Sequence, residues 1–355
     1  MKKSKLFLFC LTTFISNLSY PCTGIQLTAA DGGVINGRTV EFATIIELDI
    51  LAVPRNYEFT SQLPNNQTGM KYKAKYAAIG AYMDGEKVLV DGVNEKGIAV
   101  GMFYFPGYAG YANVTSDNKD ISMSPIEFPN WVLTQFSSLD EVKSAIAANK
   151  VSIANTVFKS WNIVPPMHYI VYDKSGKSIV IEPIDGKLVV SDNPIGVITN
   201  SPNFEWHMTN LRNYLNVSPF NASSEKINGL DLSPFGEGSG LEGLPGSFTP
   251  PARFVRAAFF SHTAAQPKTT KDAVFQVFHI LNQFDIPLGS VREKNTNNMD
   301  FTLFTSVKDT KNLSYYFKSY DNQNITVAHL NSFNLDGKDL KTIKINKKQS
   351  VVEVK

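Results

Sequence analysis

Cysteine is almost absent from this chain: its 355 residues hold 2, Cys10 and Cys22. Charge of one sign is equally scarce. Lys+Arg number 34 against 32 Asp+Glu, a net charge of +2, so no basic excess points to a nucleic acid backbone and no like-charge run forms a tail. Long hydrophobic runs are missing too. The longest is the ten-residue stretch Leu6–Ile15, about half of the roughly 20 residues that a membrane-spanning helix needs. Internal repeats and low-complexity linkers are absent. What remains is 43% hydrophobic and 19% charged, the composition of a folded chain with a large core.

The apolar run follows Met1-Lys2-Lys3-Ser4-Lys5, and a basic start before a short apolar segment reads as a secretory signal peptide. Residues 1–21 are therefore expected to be a leader with a short pre-piece, both removed. Residues 22–355 would then form a single exported domain, periplasmic or secreted. Its charge balance becomes 31 basic against 32 acidic residues once three lysines are lost. Cys10 goes with the leader, so the mature chain keeps one cysteine and cannot close an internal disulfide. Tyr20-Pro21 fits neither a lipobox nor direct signal cleavage at Cys22. Cleavage after Ser19 is expected, with Tyr20-Pro21 then removed by self-processing or by a second peptidase.

A cysteine at a new amino terminus carries nucleophile and base on one residue. The α-amine titrates near ~7.7–8.0 and the thiol near ~8.5, so the amine can take the thiol proton close to neutral pH. The alternatives are an inert buried thiol or a lipid-modified cysteine.

Alternating and apolar patterns predict strands at Cys22–Ala29, Val34–Phe42, Ile45–Val53, Lys87–Asp91, Ile98–Phe105, His168–Tyr172, Ser178–Glu182, Ile195–Thr199, Phe301–Val307 and Ser314–Ser319. Helices are predicted over Ser124–Gln135 (interrupted at Pro129), Ser138–Ala148, Asn203–Tyr214, Ala252–Phe260 and Thr270–Asn282. Strands in hairpins with helices set apart indicate an α+β chain of antiparallel sheets. Ser233–Pro251 reads as a long loop. A two-residue turn at Asp31-Gly32 would pair Cys22 with Glu41 across the first hairpin. Arg38, three residues before Glu41, would then point to the other face, and only a bulge or bend would bring both to Cys22.

Cys22-Thr23-Gly24, with Gly37-Arg38 sixteen residues after the cysteine, resembles the start of mature choloylglycine hydrolases, the family of bile salt hydrolases and penicillin V acylases. Val53-Pro54-Arg55-Asn56, Asp91 through Gly97, Thr199 through Pro202, Thr209-Asn210-Leu211 and Gly243 through Pro250 leading to Arg253 extend the likeness in order over the mature chain. The resemblance implies a four-layer αββα sandwich of the N-terminal nucleophile hydrolase type, commonly a homotetramer. It implies Cys22 as nucleophile with its α-amine as base, and Arg38 against the sulfur. Asn200 and the Tyr104 N–H would hold the oxyanion, and Arg253 would support the site. Glu41 stands where the family has an aspartate. Val40, Met167 and His168 are expected to contact substrate, a small linear amide. Tyr104 matches a position that is typically Asn in bile salt hydrolases and Tyr in the penicillin V acylase. No metal or organic cofactor enters the implied chemistry. Acyl-homoserine lactone hydrolysis, a non-catalytic binding role and a lipid-anchored envelope protein stay open as alternatives.

Other signals carry less. Gly238 through Gly243 matches GxGxxG but follows Ser233-Pro234 rather than a strand, so it is no dinucleotide loop. The five histidines, His168, His207, His262, His279 and His329, show no metal spacing.

Overall fold

The computed structural model describes residues 21–43, 46–83, 86–158, 160–294 and 296–354. Cys10 and the leader up to residue 20 lie outside the described residues.

The strands of the two large sheets are, in chain order, β1 (Cys22–Thr28), β2 (Val34–Phe42), β3 (Leu48–Val53), β4 (Ala78–Met83), β5 (Asp91–Asn94), β6 (Ala99–Tyr104) and β7 (Met167–Tyr172). They continue with β8 (Ser178–Ile184), β9 (Lys187–Asp192), β10 (Met299–Asp309), β11 (Ser314–Ser319), β12 (Thr326–His329) and β13 (Lys341–Ile343). The first sheet runs β1-β2-β10-β11-β12, with Val291–Arg292 added beside β10. The second runs β9-β8-β7-β6-β5-β4-β3-β13, antiparallel throughout. Five α-helices are described: α1 (Phe128–Gln135), α2 (Leu139–Ala147), α3 (Phe204–Asn210), α4 (Pro250–Thr263) and α5 (Thr270–Leu281). α4 and α5 cover β1, β2 and β10, while α1 covers β5 and β6. The two sheets meet through β1 with β6 and through β10 and β11 with β5. The result is the expected αββα order of layers.

Local chemistry explains the ends of these elements. Pro129 does not interrupt α1; it occupies the first turn, where a missing N–H costs nothing. Ser124 and Glu127 form a capping box on the 3-10 turn just before it. Thr269 and Asp272 do the same for α5. Two predicted strands shrink to bridges. Residues 87–90 contribute only a bridge from Leu89 to Tyr82, and residues 195–199 only a bridge from Ile198 to Gly24. β4 was not anticipated, because its alanines and glycine have low strand propensity. It is fully buried and covered on both edges, where any periodic pattern disappears.

The first hairpin fixes the site, and its register differs from the expectation. Cys22 pairs with Val40, not Glu41. The connection is one residue longer than a two-residue turn: the Ala29 N–H donates to Gly33 O at 2.8 Å, and Gly32 takes the left-handed conformation with φ +82°. Asp31 is committed elsewhere in this turn, accepting from the Gly33 N–H at 3.0 Å and from the Thr270 hydroxyl at 2.7 Å. A slip of one residue exchanges faces. Cys22, Gly24, Arg38 and Val40 therefore share one face of the sheet, and Thr23, Thr39 and Glu41 share the other. Arg38 reaches Cys22 without a bulge. The irregularity sits instead in β10, where the register shifts between Thr302 and Phe304, opposite Glu41 and Val40. Gly24 lets the sheets close here: a Cβ at this position would lie 2.8 Å from Phe103 Cζ and 2.9 Å from Ile198 Cγ2.

Candidate active site

Cys22 opens β1 and is 5% exposed. Its N–H donates to Asn200 Oδ1 at 2.8 Å. Its carbonyl accepts from Arg253 Nη1. Its sulfur receives the Glu41 backbone N–H. Burial pushes the thiol up; the Arg38 guanidinium is the strongest influence in the opposite direction, with Arg253 adding to it.

Arg38 is buried and held flat. Its Nε donates to Thr39 O at 3.2 Å, its Nη1 to Met102 O, and its guanidinium lies 4.1 Å from the centroid of the Phe103 ring. A guanidinium pinned by carbonyls and a ring face remains a fixed positive charge beside the sulfur.

Asn200 and Arg253 arrive from distant segments. Arg253 projects from the first turn of α4 and is 0% exposed. A cation there opposes the helix dipole, so it needs acceptors. It has Phe248 O at 2.8 Å, Thr23 Oγ1 at 2.9 Å and Asn200 Oδ1 at 2.6 Å, besides Cys22 O. Burial lowers it to about 10, which leaves it protonated at neutral pH. Two donors converging on Asn200 Oδ1 assign the amide orientation, so Nδ2 is the donor to Tyr104 O at 2.8 Å. An amide nitrogen carries two hydrogens, and one of them is used here. Along β6, the Met102 N–H goes to Val90 O and the Phe105 N–H to Pro166 O. By strand alternation the Tyr104 N–H points away from β7, on the side of its own carbonyl and Asn200.

Glu41 faces away from Arg38, towards the helix layer. Oε1 accepts from Thr302 Oγ1 at 3.1 Å, and Oε2 has no partner among the described residues. Burial pushes its carboxyl up to about 8 against the pull of Arg253. Glu41 is thus neither the cross-strand partner of Cys22 nor the acceptor of its N–H, which is directed to Asn200.

Val40 and Met167 line the small cavity at Cys22, with Phe42, Met102, Tyr104 and Trp161 as further walls. Burial drives the Tyr104 phenol up to about 12, so it stays neutral. The cavity measures 50 Å³, space for one or two waters at about 30 Å³ each. Phe42 and Trp161, both in its lining, meet with ring centroids 5.1 Å apart and planes tilted by 32°. His168, expected to contact substrate, does not line this cavity. It is buried beside β8, with Nδ1 3.4 Å from Glu182 Oε1 and Nε2 3.0 Å from Thr199 O. Strand alternation turns it away from the side on which its neighbour Met167 sits. A larger cavity, 710 Å³, lies between α2 and β9 and contains none of these groups.

Sequence reasoning missed Thr302, Trp161 and His207. Thr302 and Trp161 carry no local signal, since only the fold brings them near Cys22. His207 lies seven residues after Asn200 and its Nε2 reaches Asn200 O at 2.9 Å. Burial lowers this imidazole to about 4, with Arg253, His168 and Glu182 as its charged or titratable neighbours. The folded value lies below the unfolded 6.5, so His207 contributes stability above pH 6.5 that is lost as pH falls towards 4. The loss amounts to roughly 3 kcal/mol. Denaturant titrations at pH 7, 5.5 and 4.5 are expected to show a shallower pH dependence for H207Q than for the native chain; equal slopes would exclude the assignment.

Among the described residues, no group of three or more His, Cys, Asp or Glu could hold a metal ion, and no helix is long and apolar enough to cross a membrane.

Comparison with known proteins finds relatives over most of the chain. The profile described as linear amide C-N hydrolases, choloylglycine hydrolase family, matches residues 22–343. A bile salt hydrolase/transferase of Clostridium perfringens is 36% identical over 337 residues, 94% of this chain and 99% of that protein. A penicillin V acylase of Pectobacterium atrosepticum is 26% identical over 317 residues, 84% of this chain and 78% of the acylase. In structure, a mutant conjugated bile acid hydrolase from Clostridium perfringens superposes with TM-score 0.84 at 33% identity, covering 94% of this chain and all of that one.

Proposed function

The chain belongs to the choloylglycine hydrolase family of linear amide C-N hydrolases, and on that premise we propose that it cleaves conjugated bile salts or penicillin V with Cys22 as nucleophile, through a thioester. The observation that carries this reading is the convergence on Cys22: its nitrogen on Asn200, its carbonyl on Arg253 and Arg38 on the face of its sulfur. The family match begins at Cys22 itself, which supports removal of everything before it.

In the reaction, the freed α-amine takes the Cys22 proton and the sulfur attacks the amide carbonyl. The tetrahedral oxyanion is held by the second Nδ2–H of Asn200 and by the Tyr104 N–H, on the side to which both are directed. The C–N bond breaks, and the α-ammonium protonates the leaving amine. Water then attacks the thioester with the same amine as base, releasing the acid and restoring the thiol. Arg38 favours the thiolate. Arg253 fixes the Cys22 carbonyl and the Asn200 oxygen, so the amine and the oxyanion donor are aligned by one guanidinium.

The acyl group must displace lining side chains such as Phe42 and Trp161, because the cavity they line holds 50 Å³. A wall of Phe42, Tyr104 and Trp161 suits a flat aryl group, and this favours the phenoxyacetyl chain over a sterol. Amine release from penicillin V, glycine- and taurine-conjugated bile salts and acyl-homoserine lactones tests the reading. Turnover of penicillin V or of a bile salt is expected, with the higher kcat/KM for penicillin V. No product from either above a Cys22→Ala control would overturn the proposal; turnover of acyl-homoserine lactones alone would transfer it to the other acylase class.

Export of the protein and assembly as a homotetramer belong to the same proposal. The assembly is supported by an exposed apolar arm in which Leu215 is 82% exposed, Phe220 80% and Leu230 63%.

A further inference from the structure

Asn200 stands in a stretch with little backbone support. After the bridge between Ile198 and Gly24, no strand pairing covers residues 199–203, yet Thr199 and Asn200 are 0% and 2% exposed. Buried carbonyls need donors. Two histidines supply them in succession: His168 Nε2 lies 3.0 Å from Thr199 O, and His207 Nε2 lies 2.9 Å from Asn200 O. A carbonyl only accepts, so each ring carries a hydrogen on Nε2.

Each ring is itself fixed. His168 stacks on Phe105 with centroids 4.2 Å apart and an interplanar angle of 5°. His207 stacks on Phe254 at 4.6 Å and 14°. Glu182 links the two supports: Oε1 lies 3.4 Å from His168 Nδ1 and accepts the Phe204 N–H at 2.9 Å, at the start of the helix that carries His207. The loop is thus enclosed by a frame built from β7, β8 and α3.

From this geometry we infer that His168 and His207 are positioning residues for Asn200, holding the backbone on either side of its Cα so that its amide meets the Cys22 nitrogen and the nascent oxyanion. The inference rests on the proposed role of Asn200 and extends it to residues that touch no substrate. An oxyanion donor works only if it is in place before charge develops. A loop released at Asn200 O would lose that alignment while the acyl pocket on the other side of Cys22 stays as it was. The effect should fall on kcat rather than KM.

H207F keeps a ring against Phe254 and removes the donor; H207Q retains an N–H at nearly the same reach. With a good linear amide substrate, H207F is expected to lower kcat by roughly 10- to 100-fold with KM within about threefold, and H207Q to restore kcat to within about threefold of native. In an Asn200→Ala background, H207F should have no further effect. Should H207F fail to fold, H207N replaces it, since its amide is one methylene too short to reach Asn200 O. A folded H207F or H207N with native kcat, or H207Q as impaired as either, overturns the inference. Loss of Asn200→Ala's own effect on kcat would instead remove the role of Asn200, so the two failures are separable.

Discussion

Cys22→Ala is expected to lower kcat by on the order of 10⁴-fold or more while the fold persists, because no other group near the cavity can take over as nucleophile. The described residues contain one free cysteine, and it is this one. Its neighbours are two guanidiniums, a buried carboxyl and an amide, none of which attacks a carbonyl near neutral pH. The structural cost is small. Replacing SH by H in a buried side chain leaves a cavity of about one atom, worth about 1 kcal/mol, and the backbone bonds of residue 22 to Asn200 and Arg253 remain. The melting temperature should fall by no more than roughly 2–4 °C. A folded variant within tenfold of native turnover would show that Cys22 is a structural thiol.

Much of this site could be read before any coordinates. Cys22 stood out because one thiol survives beside a leader. Arg38, Asn200 and Arg253 were accessible through resemblance, as their separation of up to 231 residues from Cys22 leaves no local signature. Geometry was harder. The hairpin register depended on whether Asp31-Gly32 formed a two-residue or a longer turn, and both accept that dipeptide; the commitment of Asp31 to Thr270, 239 residues away, is invisible in sequence. That single residue of register decides which of Arg38 and Glu41 shares the face of Cys22. His168 was misread for a related reason. It was expected to contact substrate together with Met167, but successive residues of a strand face opposite ways. The α+β class with antiparallel sheets, by contrast, follows from hairpins and segregated helices, and the αββα order of layers from the resemblance; the two sheets met both expectations. β4 escaped because a strand buried between neighbours has no alternation to show.

The amino terminus carries the largest remaining effect. Pro21 is buried against the site, and while it is attached the Cys22 nitrogen is an amide: its one hydrogen is given to Asn200 Oδ1 and its lone pair is delocalised. Such a nitrogen cannot accept the thiol proton, nor pass it to a leaving amine. Burial meanwhile holds the thiol above its ordinary range, so without an adjacent base little thiolate forms at neutral pH despite Arg38. Freeing the nitrogen converts it into a base about one residue's reach from the sulfur. General base catalysis of this kind is worth about 10²- to 10⁴-fold.

The decisive measurement is therefore turnover of two preparations whose intact masses are checked before and after the assay, one beginning at Cys22 and one still carrying Pro21. The form beginning at Cys22 should be active, and the form retaining Pro21 at least about 10²-fold slower. Equal rates from a chain whose mass shows Pro21 still in place would contradict the account.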